Sequence, residues 1–427
     1  MAGKFHFDLF VGLLLRGLGA IASFALTWLI ARTFGPTGVG LYHIGLSTAL
    51  FFGTIASLGM DFVLIRKMGA LLKDGLWDDL KATFQRCERY IIAVGLPLAL
   101  LLIGASHAIS HYVFRERDAA VFLLIFAIIA VLAPILKLGN ALLRAAGRVV
   151  QSQFLEGFAY STLTCLIIVT ALYISDNVVL QLPAIAYVSS VVIVLIINRL
   201  LVHRMLKRAK KNGEATVRIW EGWRIAALQT ATSLGTWGSL ALVAALLDVA
   251  TAGIFRTAFQ LCLVLQTISS AFGTMAAPHL ARAAAENDMK DLIRKVLIAG
   301  LNGVGLAIPL WIIGMGFAEE ILFFFDPSFI EGSGALRIMI VAFTVEIAFG
   351  LSGMALVMMH REAFVLRHEI AANLAGLLLI ALLIPSMGIM GAALGLLSIS
   401  VIRCGANVVT MLVVTQKNAQ KALSCDG

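Results

Sequence analysis

The sequence predicts an all-α polytopic membrane protein with about twelve transmembrane helices in two six-helix bundles and both termini in the cytoplasm. Three observations predict it. Of the 427 residues, 60% are hydrophobic and only 13% are charged, which excludes an ordinary soluble domain. Apolar runs of about 20 residues, the length that crosses a bilayer as a helix, recur along the whole chain. The basic residues are concentrated in alternate loops.

The expected spans are about 10–32, 42–65, 90–110, 119–140, 154–174, 178–198, 223–247, 252–276, 294–316, 334–359, 366–385 and 388–414. The first run is too long for a cleavable signal peptide and lacks a small-residue cleavage site. The segment 66–89 carries Arg66, Lys67, Lys73, Lys81, Arg86 and Arg89, and 199–218 carries seven more bases, among them Arg199, Arg204, Lys207 and Arg208. Arg144 and Arg148, the bases between spans eight and nine, and Arg361, Arg367, Lys417 and Lys421 fall on the same side. The alternate loops hold little beyond Arg115 and Arg117, with Arg32 at a span end, and 317–332 has four acids and no base. The net charge of +9 is thus explained by cytoplasmic loops, not by a nucleic-acid partner.

The basic run near the middle divides the chain. The expected organisation is an N-terminal bundle over 1–200, a cytoplasmic linker over 201–222, a C-terminal bundle over 223–415 and a tail over 416–427. A shift of 213 positions lays Leu29-Ile30-Ala31 on Leu242-Val243-Ala244 and Gly40-Leu41-Tyr42 on Gly253-Ile254-Phe255. It also places Arg16 on Gln229 and Ser23 on Thr236, so the polar stripe of span one recurs on span seven. Halves of equal topology would be related by an axis along the membrane normal.

Charges inside spans are costly and normally face protein or a wet cavity. Arg16 sits in the first run on a face with Gly12, Gly19, Ser23 and Thr27. Span four holds Pro134, Lys137, Arg144 and Arg148, whose spacings place the three bases on one helix face. They read as an access path for a phosphate-bearing head group or as snorkelling bases at a helix end. Arg403 lies in span twelve beside Ser400, Asn407 and Thr410, more than a turn inside the boundary. Arg256 in span eight lies a turn from the outer boundary, where an inward-facing base and a snorkelling one look alike. Glu346, near the middle of span ten among Ala342, Gly350 and Gly353, is a candidate proton or cation site or the partner of an Arg on another helix. Asp61, Glu156 and Glu369 lie near cytoplasmic ends and read as capping or interfacial acids, Asp61 being retained as a second candidate for ion coupling.

The remaining motifs argue against enzyme chemistry. The five cysteines form no CxxC, so no zinc site or disulfide framework is expected. His107 and His111 have a spacing that could ligate metal but no carboxylate or HExxH pattern beside them. There is no P-loop. The longest outer loop, about sixteen residues over 317–332, leaves little room for an extracytoplasmic active site.

Four stretches carry a family resemblance: LIARTFGPTGVGLY at 29–42, SLGMDFVLIRKMG at 57–69, ALLRAAGRVVQSQFLEG at 141–157 and LLIPSMGIMGAALGLLSI at 382–399. On these the sequence resembles the polysaccharide transporter (O-antigen flippase, Wzx-like) family. That family belongs to the multidrug/oligosaccharidyl-lipid/polysaccharide (MOP) exporter superfamily, which includes multidrug and toxin extrusion (MATE) transporters and the lipid II flippase. The resemblance implies two six-helix bundles in a V around a central cavity, the MATE-like fold, in a bacterial inner membrane. It also implies a non-enzymatic flippase that moves undecaprenyl-diphosphate-linked oligosaccharide to the periplasmic leaflet for O-antigen or other polysaccharide synthesis. It would act by alternating access on a proton or sodium gradient, without a bound cofactor, alongside membrane lipids and a polymerase or ligase. Arg16, Asp61 and Arg144 lie in or beside the matching stretches; Lys137, Arg256, Glu346 and Arg403 are expected from burial alone. Relatives with longer chains and up to fourteen spans leave the subfamily open.

Together the bases would form a cationic lumen that replaces the hydration of a diphosphate. The rival reading is a MATE-like cation-coupled multidrug antiporter, which should favour acids over bases in its spans. If the lumen is cationic, Arg16→Ala, inserted at normal levels, abolishes surface glycan export; unchanged export in that variant contradicts it.

Overall fold

Apolar runs with few internal breakers fold as helices, and nearly the whole chain does so in the computed structural model. The structure describes residues 2–425 apart from 176–177, 210–212, 216 and 287, and side chains for all of these except residues 2–10, 13, 16, 70, 274 and 417–425. Among the described residues, ten helices are long and apolar enough to cross a membrane. The chain divides into two compact units, Met1–Ser233 and Leu234–Gly427.

The first unit begins with α1 (Ala2–Ser57), which is two helices joined at Gly35. Gly35 has φ 65°, a left-handed conformation that costs glycine nothing, and Pro36 restarts the helix as a first-turn residue without an amide to satisfy. The Gly-Pro turn of the motif is therefore a kink between two helices. Tyr42, the motif's aromatic, is buried and packs edge-on against Phe126 and Tyr187, with centroids 5.5 and 6.1 Å away. The expected second span, 42–65, is interrupted because Leu58 and Gly59 both turn left-handed before α2 (Met60–Lys73). Next comes α3 (Trp77–Ala108), which starts well before the expected position 90. Its first turns bury Leu80, Phe84 and Cys87 while their polar side stays exposed, so amphipathic packing extends the helix beyond its apolar run.

The helices α4 (Asp118–Ala127) and α5 (Ile129–Ala145) make up the expected fourth span. Gly147, at φ 75°, ends α5 in a Schellman turn: its amide donates to the Arg144 carbonyl at 3.0 Å and that of Arg148 to the Leu143 carbonyl at 2.9 Å. This corrects the reading of Lys137, Arg144 and Arg148 as one ladder, because Arg148 has left the helix. A short α6 (Val149–Gln153) and a π-helical stretch (Phe154–Phe158) lead into α7 (Ala159–Ile174), and α8 (Leu182–Leu206) completes the bundle. One core cluster ties α2, α3, α5 and α8 together through Leu64, Phe84, Leu138 and Val202, and Val217 of the following segment inserts into it.

That segment is docked, not a free linker. The Glu214 amide donates to Asp79 at 2.8 Å, Arg86 donates to the Ala215 carbonyl at 3.1 Å, and Lys67 pairs with Glu221 at 2.7 Å. It runs into α9 (Trp223–Leu246), within which the boundary between the units falls.

The second unit continues with α10 (Val249–Ala285), α11 (Met289–Gly316), α12 (Ala318–Phe323), α13 (Ser333–Phe349), α14 (Leu351–Met358), α15 (Glu362–Met387) and α16 (Ile389–Cys425). The break between α9 and α10 matches the one inside α1: the 213-residue shift lays Gly35 on Asp248. Asp248 caps α10 by accepting from the Thr251 amide at 2.8 Å, so two different start signals occupy one position of the repeat. The helices α15 and α16 pack at near-contact of their backbones: a Cβ on Gly391 would lie 2.6 Å from the Leu383 carbonyl oxygen.

Burial acts to raise the Glu221 carboxyl, but hydrogen bonds from Lys67 and the Arg218 amide, with the Lys67 and Arg66 charges, outweigh it and hold the group below its ordinary value. A lowered carboxylate pKa stabilises docking fully above the ordinary range, and the contribution is lost as pH falls through the lowered value. Glu221→Gln should therefore speed tryptic cleavage after Arg218 several-fold at neutral pH. An unchanged cleavage rate would show that the salt bridge does not hold the segment.

Candidate functional site

In the first unit a polar pocket of about 350 Å³ lies between α1, the end of α5 and the α6–α7 region. Its lining includes Gly19, Ala20 and Ser23 of the small polar face of α1, together with Arg144, Gln153, Glu156, Tyr160 and Ser161. The side chain of Arg16 lies outside the described residues. Arg144 Nη1 bonds Glu156 Oε2, so the acid read as interfacial is the partner of the expected base. The π-helical stretch carries Glu156 towards α5. Tyr160 joins the pocket to the aromatic cluster, its ring 5.7 Å from that of Tyr187.

Lys137 is engaged elsewhere. Its Nζ lies 3.1 Å from Asp61 Oδ2, with the Asp61 side chain 4% exposed and that of Lys137 39%. The left-handed Leu58-Gly59 turn brings Asp61 into the first turn of α2, where it faces α5. Among the described residues Asp61 Oδ1 has no hydrogen-bond partner, which leaves a buried acceptor available to a proton or a further donor. Lys137 and Arg144 therefore hold different acids and do not form one site.

The second unit contains a denser network. The Arg403 guanidinium of α16 bonds Glu346 of α13 and reaches Glu369 of α15, 3.3 Å from Nη1. Ser400 donates to the same Glu346 oxygen at 2.9 Å, and Asn373 donates to Glu369 at 3.1 Å. One base thus faces two acids. A charge removed from water needs a counter-charge or a proton, so the second carboxylate makes this cluster a candidate proton or cation site. Beside it, His368 Nδ1 lies 2.8 Å from Asn407 Oδ1. The helix α9 holds the cluster from behind: a Cβ on Gly235 would lie 1.9 Å from the Asn373 amide oxygen. Arg256 donates to Gln260 at 3.3 Å and lies 5.1 Å from the Phe259 ring centre.

Of the expected residues, the structure brings Lys137 to Asp61 and Glu346 to Arg403. Sequence reasoning missed Glu156, Tyr160, Glu369 and Asn373 as site residues. The usable signal was Glu369 and Asn373 at a four-residue spacing, which stacks two polar groups on one face of an apolar helix. Arg403→Gln leaves Glu346 and Glu369 opposed without their base and should cost about 3–5 kcal/mol, seen as a lower thermal midpoint of the purified protein. Adding Glu346→Gln should recover part of that loss. If both variants melt like the wild type, the network carries no net charge worth compensating.

The chain resembles a multidrug resistance MATE family transporter of the MOP superfamily in an inward-facing conformation, with 13% identity, 96% of each chain covered and a TM-score of 0.75. It also resembles the lipid II flippase MurJ, with 12% identity, 97% of this chain and 91% of that one covered, and a TM-score of 0.73. A third similar structure is a MOP superfamily transporter from Pyrococcus furiosus, with 14% identity, 97% and 94% coverage and a TM-score of 0.65. At these identities the likeness establishes the fold, which is the expected all-α MATE-like one. No curated protein matches the chain. A sequence model of the polysaccharide biosynthesis protein family matches residues 8–284, more than half of the chain, and the chain belongs to that family.

Proposed function

We propose that the protein is a flippase that moves a polyprenyl-diphosphate-linked oligosaccharide from the cytoplasmic to the periplasmic leaflet of a bacterial inner membrane, by alternating access, during polysaccharide or O-antigen synthesis. The observation that carries this reading is the polar pocket of the first unit, where a guanidinium within a membrane bundle is held by a carboxylate that a diphosphate can replace. Membership of the polysaccharide biosynthesis protein family supports a glycan substrate, and likeness of fold to a lipid II flippase supports a lipid-linked one.

Diphosphate and glycan cannot enter hydrocarbon unaided, because burying such charge without partners is prohibitive. An arginine offers a planar fork that binds phosphate in a bidentate way. The pocket, of about 350 Å³, is of a size for the diphosphate head group. Because the candidate bases Lys137, Arg144 and Arg403 are paired with acids, binding is an exchange. Protonation of Glu156 frees Arg144, and the diphosphate takes the place of the carboxylate. This exchange links the substrate to a proton gradient. Asp61 and the Glu346–Glu369 cluster are further places where a proton or sodium ion could be carried.

The test follows lipid-linked oligosaccharide by leaflet in a strain lacking the protein, complemented with wild type, Arg144→Ala or Glu156→Gln. Arg144→Ala is expected to lower translocation more than ten-fold at normal membrane levels. Glu156→Gln is expected to retain translocation but flatten its dependence on the proton gradient. Wild-type translocation by Arg144→Ala removes this reading. Restored drug resistance with no change in glycan distribution would favour the multidrug antiporter instead.

A further inference from the structure

The candidate bases Lys137, Arg144 and Arg403 within the bundles meet carboxylates, but three arginines at the basic end of the first unit do not. Arg148, Arg204 and Arg208 line one concave pocket of about 390 Å³, floored by Leu72, Trp77 and Met205. All three are exposed, and among the described residues none pairs with an acid. The pocket is built from five places in the chain: the end of α2, the start of α3, the end of α5, the turn that follows it and the end of α8 with the turn beyond. The Schellman turn at Gly147 puts Arg148 there by taking it off the axis of α5. The Arg208 guanidinium lies 5.0 Å from the centre of the Trp77 ring, so an aromatic of the kind that settles at head-group depth fixes one wall.

An exposed apolar face of α8 runs up to Arg204 of the pocket. On α8, Ile193, Ile197, Leu200 and Arg204 are spaced by four, three and four residues, which places them on one face, and Arg208 follows in the turn beyond the helix. The three apolar residues are 42%, 40% and 54% exposed. A cluster of like charges facing solvent is relieved by an anion, and an apolar stripe leading into it is covered by hydrocarbon. A molecule that supplies both is an anionic phospholipid.

We infer that this pocket binds the phosphodiester head group of an anionic phospholipid whose acyl chains lie along the exposed face of α8. Such a lipid ties together the start of α3 and the ends of α5 and α8, and its binding does not depend on which substrate the protein carries. A soluble phosphate would use the arginines but not the apolar track, and the test separates the two.

The full-length protein is purified in detergent and offered an equimolar mixture of phosphatidylglycerol and phosphatidylcholine, and retained lipid is counted by native mass spectrometry. Wild type is expected to keep phosphatidylglycerol in preference. The triple variant Arg148→Gln, Arg204→Gln, Arg208→Gln should lose that preference at least ten-fold. A triple variant removing the same number of charges elsewhere, Arg282→Gln, Lys290→Gln, Arg294→Gln, should keep it. Three single variants in the pocket, each expected to weaken retention about three-fold, serve if the triple variant does not fold. Equal retention by the pocket variants overturns the proposal, as does an equal loss in the control. Displacement of the lipid by an equal concentration of soluble glycerophosphate also overturns it, since the chains would then contribute nothing.

Discussion

The constraint on which the rest of the structure depends is the cost of a charge in a place without water. Three of the cationic residues expected to line a passage do not stand bare. Lys137 rests against Asp61, Arg144 against Glu156, and Arg403 between Glu346 and Glu369. Each pairing draws together two or more helices, so the ion pairs act as cross-links in a medium that gives apolar side chains little reason to prefer each other to lipid. A base held in this way remains usable, since its carboxylate can be exchanged for a phosphate or neutralised by a proton.

A second theme is how local backbone signals shape long helices. The Gly35 break inside α1 and the Asp248 cap before α10 occupy corresponding positions of the repeat but use opposite chemistry, permissive backbone in one and a side-chain acceptor in the other. The same logic governs the end of α5, where the Gly147 turn separates Arg148 from Arg144 and sends the two arginines to different pockets. A one-residue feature decides whether a base serves a polar interior or a basic outer end.

The two units differ in how their charges are balanced. In the first, single pairs are distributed along α5 and its neighbours. In the second, one arginine faces two carboxylates, with serine and asparagine completing the shell. An excess acid buried among helices is where a proton or cation is held most readily, whereas a one-to-one pair is where an anion can displace a carboxylate. The paired arginine of one unit and the doubly acidic cluster of the other thus differ in charge balance.

From the sequence alone followed the all-α membrane fold class, the small polar face of α1, the Gly-Pro turn and the helices that carry Lys137, Arg144, Arg403 and Glu346. These follow from hydropathy, helical period and turn chemistry, which act over a few residues. Only the tertiary structure decided which acid meets which base. Arg403 and Glu346 are 57 residues apart and Arg144 and Glu156 are 12 apart across a turn and a π-helical stretch, and no periodicity within one helix encodes such meetings. It also decided that the segment before α9 is docked, and that α3 begins early, because both depend on a hydrophobic core assembled from four helices before any local preference.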